Sequence, residues 1–164
     1  MRGIAALAVC CALGSAVVAA GSSASALARC KVPQLKLKAG LQGATQSLLG
    51  TVVVANRSGR ACVLPTAPGR VTLVIGTQVL PALTVRMSPG PPGTPTRRLP
   101  AHGRVTVGVQ WRNWCGAPRG NVRLRIGLTI YNSETPRVSA GVVRTPVCVD
   151  RKHSSRVAVS RFLA

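Results

Sequence analysis

Cysteine is the residue type whose number and spacing most directly indicate chemistry in this 164-residue sequence. Cys10 and Cys11 lie in an apolar N-terminal segment that has the pattern of a removable leader. The other cysteines are Cys30, Cys62, Cys115 and Cys148. Four cysteines in an exported chain predict two disulfides, for which three connectivities exist. Because no Cys-x-x-Cys spacing occurs and His102 and His153 stand alone, we expect neither a metal site nor a cofactor.

The pairing of neighbouring strands separates the three connectivities. If 34–39 and 48–56 form a hairpin-like pair, Cys30 lies opposite a residue next to Cys62. A bridge between these two cysteines would close a loop of about thirty residues, worth roughly 3–4 kcal/mol in the chain-entropy description. We therefore favour this bridge, while the other pairings stay open.

A second strand pair predicts the second bridge. If 121–131 pairs with 140–149 around a turn near residue 135, Cys148 falls beside the loop that holds Cys115. The chain has only two Trp, one Tyr and one Phe to fill a core. Two cross-links would therefore add stability that so small an aromatic content does not supply.

Acidic and histidine side chains are too few for most enzyme mechanisms. The acids are Glu134 and Asp150, in or beside different late strands, so a carboxylate pair of the glycosidase kind is not expected. A Ser–His–acid triad would have to use His102 or His153, and no Gly-x-Ser-x-Gly setting for a nucleophile occurs. The segment 90–93 (GPPG) has prolines where a phosphate-binding loop needs backbone N–H groups. We therefore expect no enzymatic activity.

Charge is the strongest signal in the composition. The sequence has 22 Lys and Arg residues against two acids, which gives a formal net charge of +20. Such a surface attracts polyanions, and the candidates are nucleic acid, anionic lipid and acidic polymers of the cell envelope. A GC-rich genome would explain the excess of Arg over Lys without such a partner, but not the shortage of Asp and Glu. Two interpretations therefore stay open: the charge serves to bind a polyanionic target, or it has no binding role and is only tolerated.

The first 28 residues have the pattern of a secretory signal peptide. Arg2 supplies the positive charge, and residues 4–20 form an uncharged apolar segment. Residues 26–28 (ALA) fit the small-x-small cleavage rule, so we expect cleavage before Arg29; cleavage four or eight residues earlier, after another alanine, is the alternative. No later segment predicts a membrane span. We therefore expect a secreted or cell-envelope-associated protein.

The rest of the chain, residues 29–164, alternates apolar and polar residues and shows no long helical periodicity. The predicted inward side chains of 103–111 and 121–131 are Val105, Val107, Val109, Trp111, Val122, Leu124, Ile126, Leu128 and Ile130. Seven or eight short strands with frequent Gly and Pro turns predict a single all-β domain, an immunoglobulin-like antiparallel β-sandwich, with a small barrel as the alternative. The segment 150–164 is expected either to add an edge strand or to stay loose.

The segment 111–116 (WRNWCG) holds both tryptophans of the chain beside one cysteine. Trp111 continues the inward face of its strand, so we predict that it fills the core. Trp114 precedes Cys115 in the following turn, where its ring is predicted to cover the disulfide as a lid. The functional alternative is an exposed Trp114 that contacts a ligand.

Several of these motifs, taken in order, resemble a known family. They are Cys30 near the mature start, an apolar strand ending in Asn56, the segment 59–73 (GRACVLPTAPGRVTL) and the segment 109–116 (VQWRNWCG). Together they are similar to a family of secreted and lipoprotein domains of actinobacteria, catalogued as domain of unknown function 4232. The resemblance covers most of residues 30–149. It implies an exported immunoglobulin-like domain with no established activity, and therefore no catalytic residues.

We expect a non-catalytic binding or structural module with an unknown extracellular partner, such as an acidic envelope polymer or a protein. If 103–112 pairs with 121–131, one outward face carries guanidinium groups suited to carboxylate or phosphate. The residues of this candidate anion-binding face are Arg104, Arg112, Arg119, Arg123 and Arg125. The plain alternative is a solvated face that keeps the sheet soluble.

The alternative function is non-specific binding to a polyanion, which would be nucleic acid, an anionic polymer or a membrane surface. The charge favours this function, but the small aromatic content argues against stacking on single strands. No recognition helix or basic amphipathic helix is predicted. Any nucleic-acid binding should therefore be non-specific and strongly salt-dependent. No pattern in the sequence indicates an oligomeric state.

Overall fold

The structure of the protein is a computed structural model, and it describes residues 26–88 and 96–164. The predicted signal peptide, residues 1–28, therefore lies outside the described residues except for its last three positions. Besides one short 3-10 turn, Val32–Gln34, the regular elements of the described chain are β-strands. Within the described residues, no helix has the length and apolar character needed to cross a membrane.

Twelve strands follow one another along the described chain. They are β1 (Leu35–Ala44), β2 (Ser47–Asn56), β3 (Cys62–Pro65), β4 (Arg70–Ile75), β5 (Gln78–Val79), β6 (Leu83–Arg86), β7 (Thr96–Leu99), β8 (Arg104–Arg112), β9 (Asn121–Ile130), β10 (Ser133–Glu134), β11 (Val138–Arg144) and β12 (Arg156–Val159). The prediction of an all-β fold is confirmed. More strands are present than the predicted seven or eight, because β7 and β10 have only four and two residues and show too few alternations to be recognised in sequence.

The strands form two five-stranded sheets and one two-stranded pair. Sheet I has the order β1–β2–β8–β12–β6. Sheet II has the order β10–β9–β4–β5, and β11 also pairs with β9. The separate pair consists of β3 and β7. Among the described strands only β6 and β12 run parallel to each other, and the other pairs are antiparallel.

The buried faces of sheets I and II belong to one hydrophobic core. Every side chain predicted to point inward from 103–111 and 121–131 is buried, including Trp111 at 0% exposure. Burial of a Val, Leu or Ile side chain contributes about 1.5–3 kcal/mol, so these two strands supply a large part of the driving force. That the sheets have a specifically immunoglobulin-like arrangement stays a prediction.

Two disulfides cross-link the domain, as predicted. Cys30 is bonded to Cys62 and Cys115 to Cys148, which is the connectivity that the strand pairs favoured. The first bridge lies beyond the end of the β1–β2 hairpin, in which Leu35 faces Asn56 and Ala44 faces Ser47. The second lies beyond the β9–β11 pair, in which Asn121 faces Arg144. Both strand pairs are therefore the ones that the sequence pattern predicted.

The predicted pairing of 103–112 with 121–131 is wrong. The two edges of β8 are occupied by β2 and β12, while β9 pairs with β4, β10 and β11 in the other sheet. The loop 113–120 therefore carries the chain from sheet I to sheet II instead of closing a hairpin. Alternation identifies which side of a strand is buried, but a strand of either sheet can present that side to the same core.

The segment 150–164 is neither loose nor an edge strand. It contains β12, which lies between β8 and β6 inside sheet I. Beyond it Phe162 is buried, and Leu163 forms an antiparallel bridge with Thr106. The C-terminal segment is therefore part of the sheet that carries the candidate site.

Candidate functional site

The five arginines predicted to share one face lie in three separate places. Arg104 and Arg112 are on the outer face of sheet I, but at opposite ends of β8, roughly 26 Å apart along the strand. Arg123 and Arg125 are exposed on the outer face of sheet II. Arg119 lies in the loop between the sheets. The predicted face is therefore wrong, because it depended on the β8–β9 pairing that does not occur.

Two of these arginines are engaged by backbone carbonyls. The Arg119 guanidinium donates hydrogen bonds to the carbonyls of Cys115 and Gly116, at 3.1 and 3.3 Å. The Arg125 guanidinium donates to the carbonyl of Gly76. These contacts give both side chains a part in fixing loops, so neither is free for a ligand without loss of those hydrogen bonds.

Arg112 belongs instead to a groove of about 560 Å³ at one end of sheet I, where β2 and β12 begin and β8 ends. We call it the end groove. Its lining residues are Thr45, Gln46, Ser47, Arg112, Asn113, Val149, Asp150, His153, Ser154 and Arg156. The volume is within the range of small-molecule sites. Nine of the ten lining residues have polar or charged side chains.

Three of the lining residues form a row on adjacent strands of sheet I. In the β-sheet register Ser47 on β2 faces Arg112 on β8, and Arg112 in turn faces Arg156 on β12. Both arginines are exposed, and neither side chain has a hydrogen-bond or ion-pair partner among the described residues. Like charges directly opposite each other on neighbouring strands destabilise a sheet, so this pair favours an anion between them.

Asn113 holds one wall of the groove. Its side-chain amide donates hydrogen bonds of 2.8 Å to the carbonyls of Asp150 and His153, and its oxygen accepts 2.9 Å hydrogen bonds from the N–H groups of Val149 and Asp150. The residue has a φ of +57°, a left-handed conformation that Asn tolerates better than most side chains. Asn113 therefore fixes the 149–153 segment against the end of β8.

Asp150 is the acidic residue of the groove, and it is already occupied. Its carboxylate accepts a 2.7 Å hydrogen bond from the N–H of Lys152, and its Oδ2 lies 2.6 Å from Nδ1 of His153. The Lys152 N–H, together with the His153 ring, holds the pKa of the Asp150 carboxyl below its usual value. The one carboxylate of the groove therefore forms its hydrogen bonds with residues of its own loop.

The two tryptophans support the groove from inside. The Trp111 indole N–H donates a 2.8 Å hydrogen bond to the hydroxyl of Ser155, which donates to the carbonyl of Arg112 at 3.3 Å. Trp114 is 3% exposed, its indole N–H donates to the carbonyl of Pro118, and its ring centroid lies 5.7 Å from that of Trp111. Buried in this way, Trp114 presents no ring to a ligand.

Sheet II carries a second group of basic side chains on its outer face, namely Arg70, Arg123, Arg125, Arg137 and Arg144. Glu134 is the acid of this face, and Nε of Arg137 donates a 2.9 Å hydrogen bond to it. That hydrogen bond holds the pKa of Glu134 below its usual value. The pair is exposed and therefore contributes little stability. Among the described residues this face has no carboxylate besides Glu134, so its other arginines have no acidic partner on the face.

Sequence reasoning missed Arg156, Asn113 and Ser47. Arg156 opens the short alternating segment 156–159, so its outward position was visible, but its neighbour Arg112 is 44 residues away in the chain. Asn113 offered only the signal that Asn is common at left-handed positions. Ser47 gave no signal.

The described residues contain no group of three or more His, Cys, Asp or Glu side chains that could hold a metal ion.

One comparison with known proteins gives a match. A family model described as Domain of unknown function (DUF4232) matches residues 30–161. The matched range includes all four bonded cysteines and every lining residue of the end groove. No curated protein matches the chain, and no solved structure does.

Proposed function

The chain belongs to the family DUF4232, whose description names no activity, and we propose that it is a non-catalytic binding module for an acidic partner outside the cell or in the cell envelope. The observation that carries this proposal is the state of the two acidic side chains of the sequence. Glu134 is paired with Arg137, and Asp150 is paired with His153 and the N–H of Lys152. The remaining guanidinium and ammonium groups therefore depend on external anions for neutralisation.

The extracellular or envelope location is supported by the cross-links. Two disulfides in a chain of this size are typical of proteins that fold in an oxidising compartment. The signal-peptide pattern of residues 1–28 agrees with that compartment.

The absence of a nucleophile next to the histidine supports a non-catalytic role. His153 makes its side-chain contact with Asp150, and in the described chain no Ser, Thr or Cys side chain is hydrogen-bonded to it. Nucleophilic catalysis by a histidine base needs such a hydrogen bond. His102 lies in a turn with a φ of +54°, far in sequence from either acid.

A second candidate function is non-specific polyanion binding. The net charge of +20 and the presence of basic groups on the outer faces of both sheets favour it. The two functions differ in one property. At a specific site, the loss of affinity depends on which charge is removed, whereas in non-specific binding it depends only on how many charges are removed.

The test measures binding of the oxidised chain to polygalacturonate, duplex DNA, phosphatidylglycerol vesicles and neutral dextran, at about 20 and about 150 mM salt. Three variants each remove two positive charges. They are Arg112→Gln with Arg156→Gln, Arg123→Gln with Arg144→Gln, and Arg57→Gln with Arg60→Gln. The proposal predicts that one acidic ligand stays bound at the higher salt and that the three variants weaken it unequally. Equal weakening by all three, with every polyanion released together by salt, would establish the non-specific function instead.

A further inference from the structure

We propose that the end groove binds a single acidic sugar residue, whose carboxylate or phosphate group lies between Arg112 and Arg156. This inference rests on the proposed function, because it names the ligand unit of that acidic partner. Three features of the groove point to it: an unneutralised arginine pair, a set of unused hydroxyl and amide groups, and walls that are held in place without a ligand.

The arginine pair supplies the charge recognition. Arg112 and Arg156 are directly opposite each other on adjacent antiparallel strands, so their Cα atoms are about 4.5–5.5 Å apart. Each guanidinium offers a planar fork of donors that matches two oxygens of a carboxylate or phosphate. One carboxylate or phosphate group between them accepts hydrogen bonds from both guanidinium groups. Its negative charge also offsets the repulsion between the two positive charges.

The rest of the lining has the chemistry that recognises sugar hydroxyl groups. The hydroxyls of Thr45, Ser47 and Ser154 and the amide of Gln46 line the groove, and none has a side-chain hydrogen bond within the described chain. Val149, which is 64% exposed, adds an apolar surface for the C–H groups of a sugar ring. A bare inorganic anion would leave all of these groups without a contact.

The walls are ordered by contacts that involve no ligand. Asn113 fixes the 149–153 segment through four hydrogen bonds, and the Cys115–Cys148 disulfide closes the same loop region. Arg112 and Arg156 themselves lie on interior strands of sheet I. Because little has to be ordered on binding, even a monosaccharide should bind measurably.

Asp150 opposes an anionic ligand in this groove. Its carboxylate lines the same space as the two arginines, and its hydrogen bonds go to Lys152 and His153. Asp150→Asn removes the negative charge and keeps an oxygen that accepts from the Lys152 N–H. We therefore expect this variant to bind an acidic sugar more tightly, a gain that a damaged fold does not produce.

The experiment is calorimetric titration of the oxidised chain with glucuronate, glucose 6-phosphate, glucose, inorganic phosphate and a blocked Glu-Glu peptide. We expect saturable one-to-one binding of glucuronate or glucose 6-phosphate, at least about tenfold tighter than that of the other three. The comparison of the two sugar acids shows whether the bound group is a carboxylate or a phosphate. The proposal is overturned if neither sugar acid binds saturably, or if glucose, phosphate or the peptide binds as tightly as the better-bound sugar acid.

Variants locate the binding. Arg112→Gln with Arg156→Gln should weaken sugar-acid binding at least about tenfold, and Asp150→Asn should strengthen it. The matched control is Arg57→Gln with Arg60→Gln, which removes the same charge in the turn after β2, at the other end of that strand, and should leave binding unchanged. Equal loss in the two double variants contradicts the groove.

A measurement on the unmodified chain guards against misfolded variants. Nuclear magnetic resonance should show that glucuronate or glucose 6-phosphate shifts the backbone amides of 45–47, 112–113 and 149–156. Shifts confined to sheet II would refute this site. Polymer binding that persists at about 150 mM salt in the Arg112→Gln, Arg156→Gln variant would refute it as well, but would leave the proposed function intact.

Discussion

The indole nitrogen of Trp111 donates a buried 2.8 Å hydrogen bond to the hydroxyl of Ser155, which lies one residue before β12. The same hydroxyl donates to the carbonyl of Arg112. A core side chain on β8 thereby positions the start of the strand that carries Arg156. The packing of the core and the geometry of the end groove are therefore linked through one hydroxyl group.

Ser155→Ala should destabilise the domain, because it leaves the indole N–H of Trp111 buried without an acceptor. The expected loss is about 1–3 kcal/mol of unfolding free energy, measured by urea denaturation of the oxidised chain. Ser154→Ala is the matched control: its hydroxyl is exposed and has no hydrogen bond within the described chain, so its stability should change by less than about 0.5 kcal/mol. Equal losses in the two variants would contradict this role of Ser155.

Asn113→Ala should destabilise the domain by about 2–4 kcal/mol, because it removes four hydrogen bonds. It also leaves alanine at a φ of +57°, a left-handed conformation that is unfavourable for alanine. Asn113→Gly removes the same hydrogen bonds but relieves the backbone conformation. The glycine variant should therefore unfold at a higher urea concentration than the alanine variant. The reverse order would show that backbone conformation contributes nothing at this position.

The two disulfides should contribute similar global stability and different local order. Their cysteines are separated by 32 and 33 residues, so loss of either bridge should cost about 3–4 kcal/mol. Replacing Cys115 and Cys148 by Ala should in addition speed amide hydrogen exchange in 149–153, because that bridge lies beside the groove loop. Replacing Cys30 and Cys62 should leave exchange there slow. Faster exchange in both variants would mean that the loop reports only global stability.

Gly50→Ala should strongly destabilise the β1–β2 hairpin. A Cβ at this position would overlap the carbonyl oxygen of Gly40 on the neighbouring strand, and neither backbone can move without disturbing the ladder. We expect a loss of at least about 2 kcal/mol in urea denaturation. Gly43→Ala is the control on the same hairpin, since no atom lies within 4 Å of its added Cβ. A mild effect at Gly50 would contradict the close approach of β1 and β2.

The domain should resist acid. The pKa values of Glu134 and Asp150 are lower in the folded chain than in the unfolded chain, where they are about 4. The two carboxylates therefore stabilise the fold fully above about pH 4, and this contribution is lost as the pH falls through their folded-state pKa values. Both side chains are exposed, so the loss is small. Two acids and two histidines add at most four positive charges to the side chains on acidification.

Urea denaturation between about pH 7 and about pH 2 measures this resistance. The midpoint should fall only slightly, and Glu134→Gln with Asp150→Asn should flatten the remaining dependence. A cooperative acid unfolding transition above about pH 3 would contradict this prediction, because protonation of two exposed carboxyls should cost the domain little stability.

The sequence by itself determined which side chains of each long strand are buried. In 103–111 and 121–131 the inward residues are the apolar ones, since side chains alternate along any strand whatever its neighbours are. It also predicted the hairpin of β1 with β2 and favoured the disulfide connectivity that the structure shows, because strands joined by a short connection pair with each other and bring their flanking cysteines together.

Only the tertiary structure decided which distant strands lie side by side. Arg112 and Arg123 were predicted to share a face because 121–131 follows 103–112 in sequence, yet the loop 113–120 separates them into different sheets. Arg112 instead meets Arg156, which the parallel pairing of β12 with β6 brings into the interior of sheet I. The physical reason is that alternation records burial, which is a local property, whereas register between remote strands depends on how both sheets fill one common core.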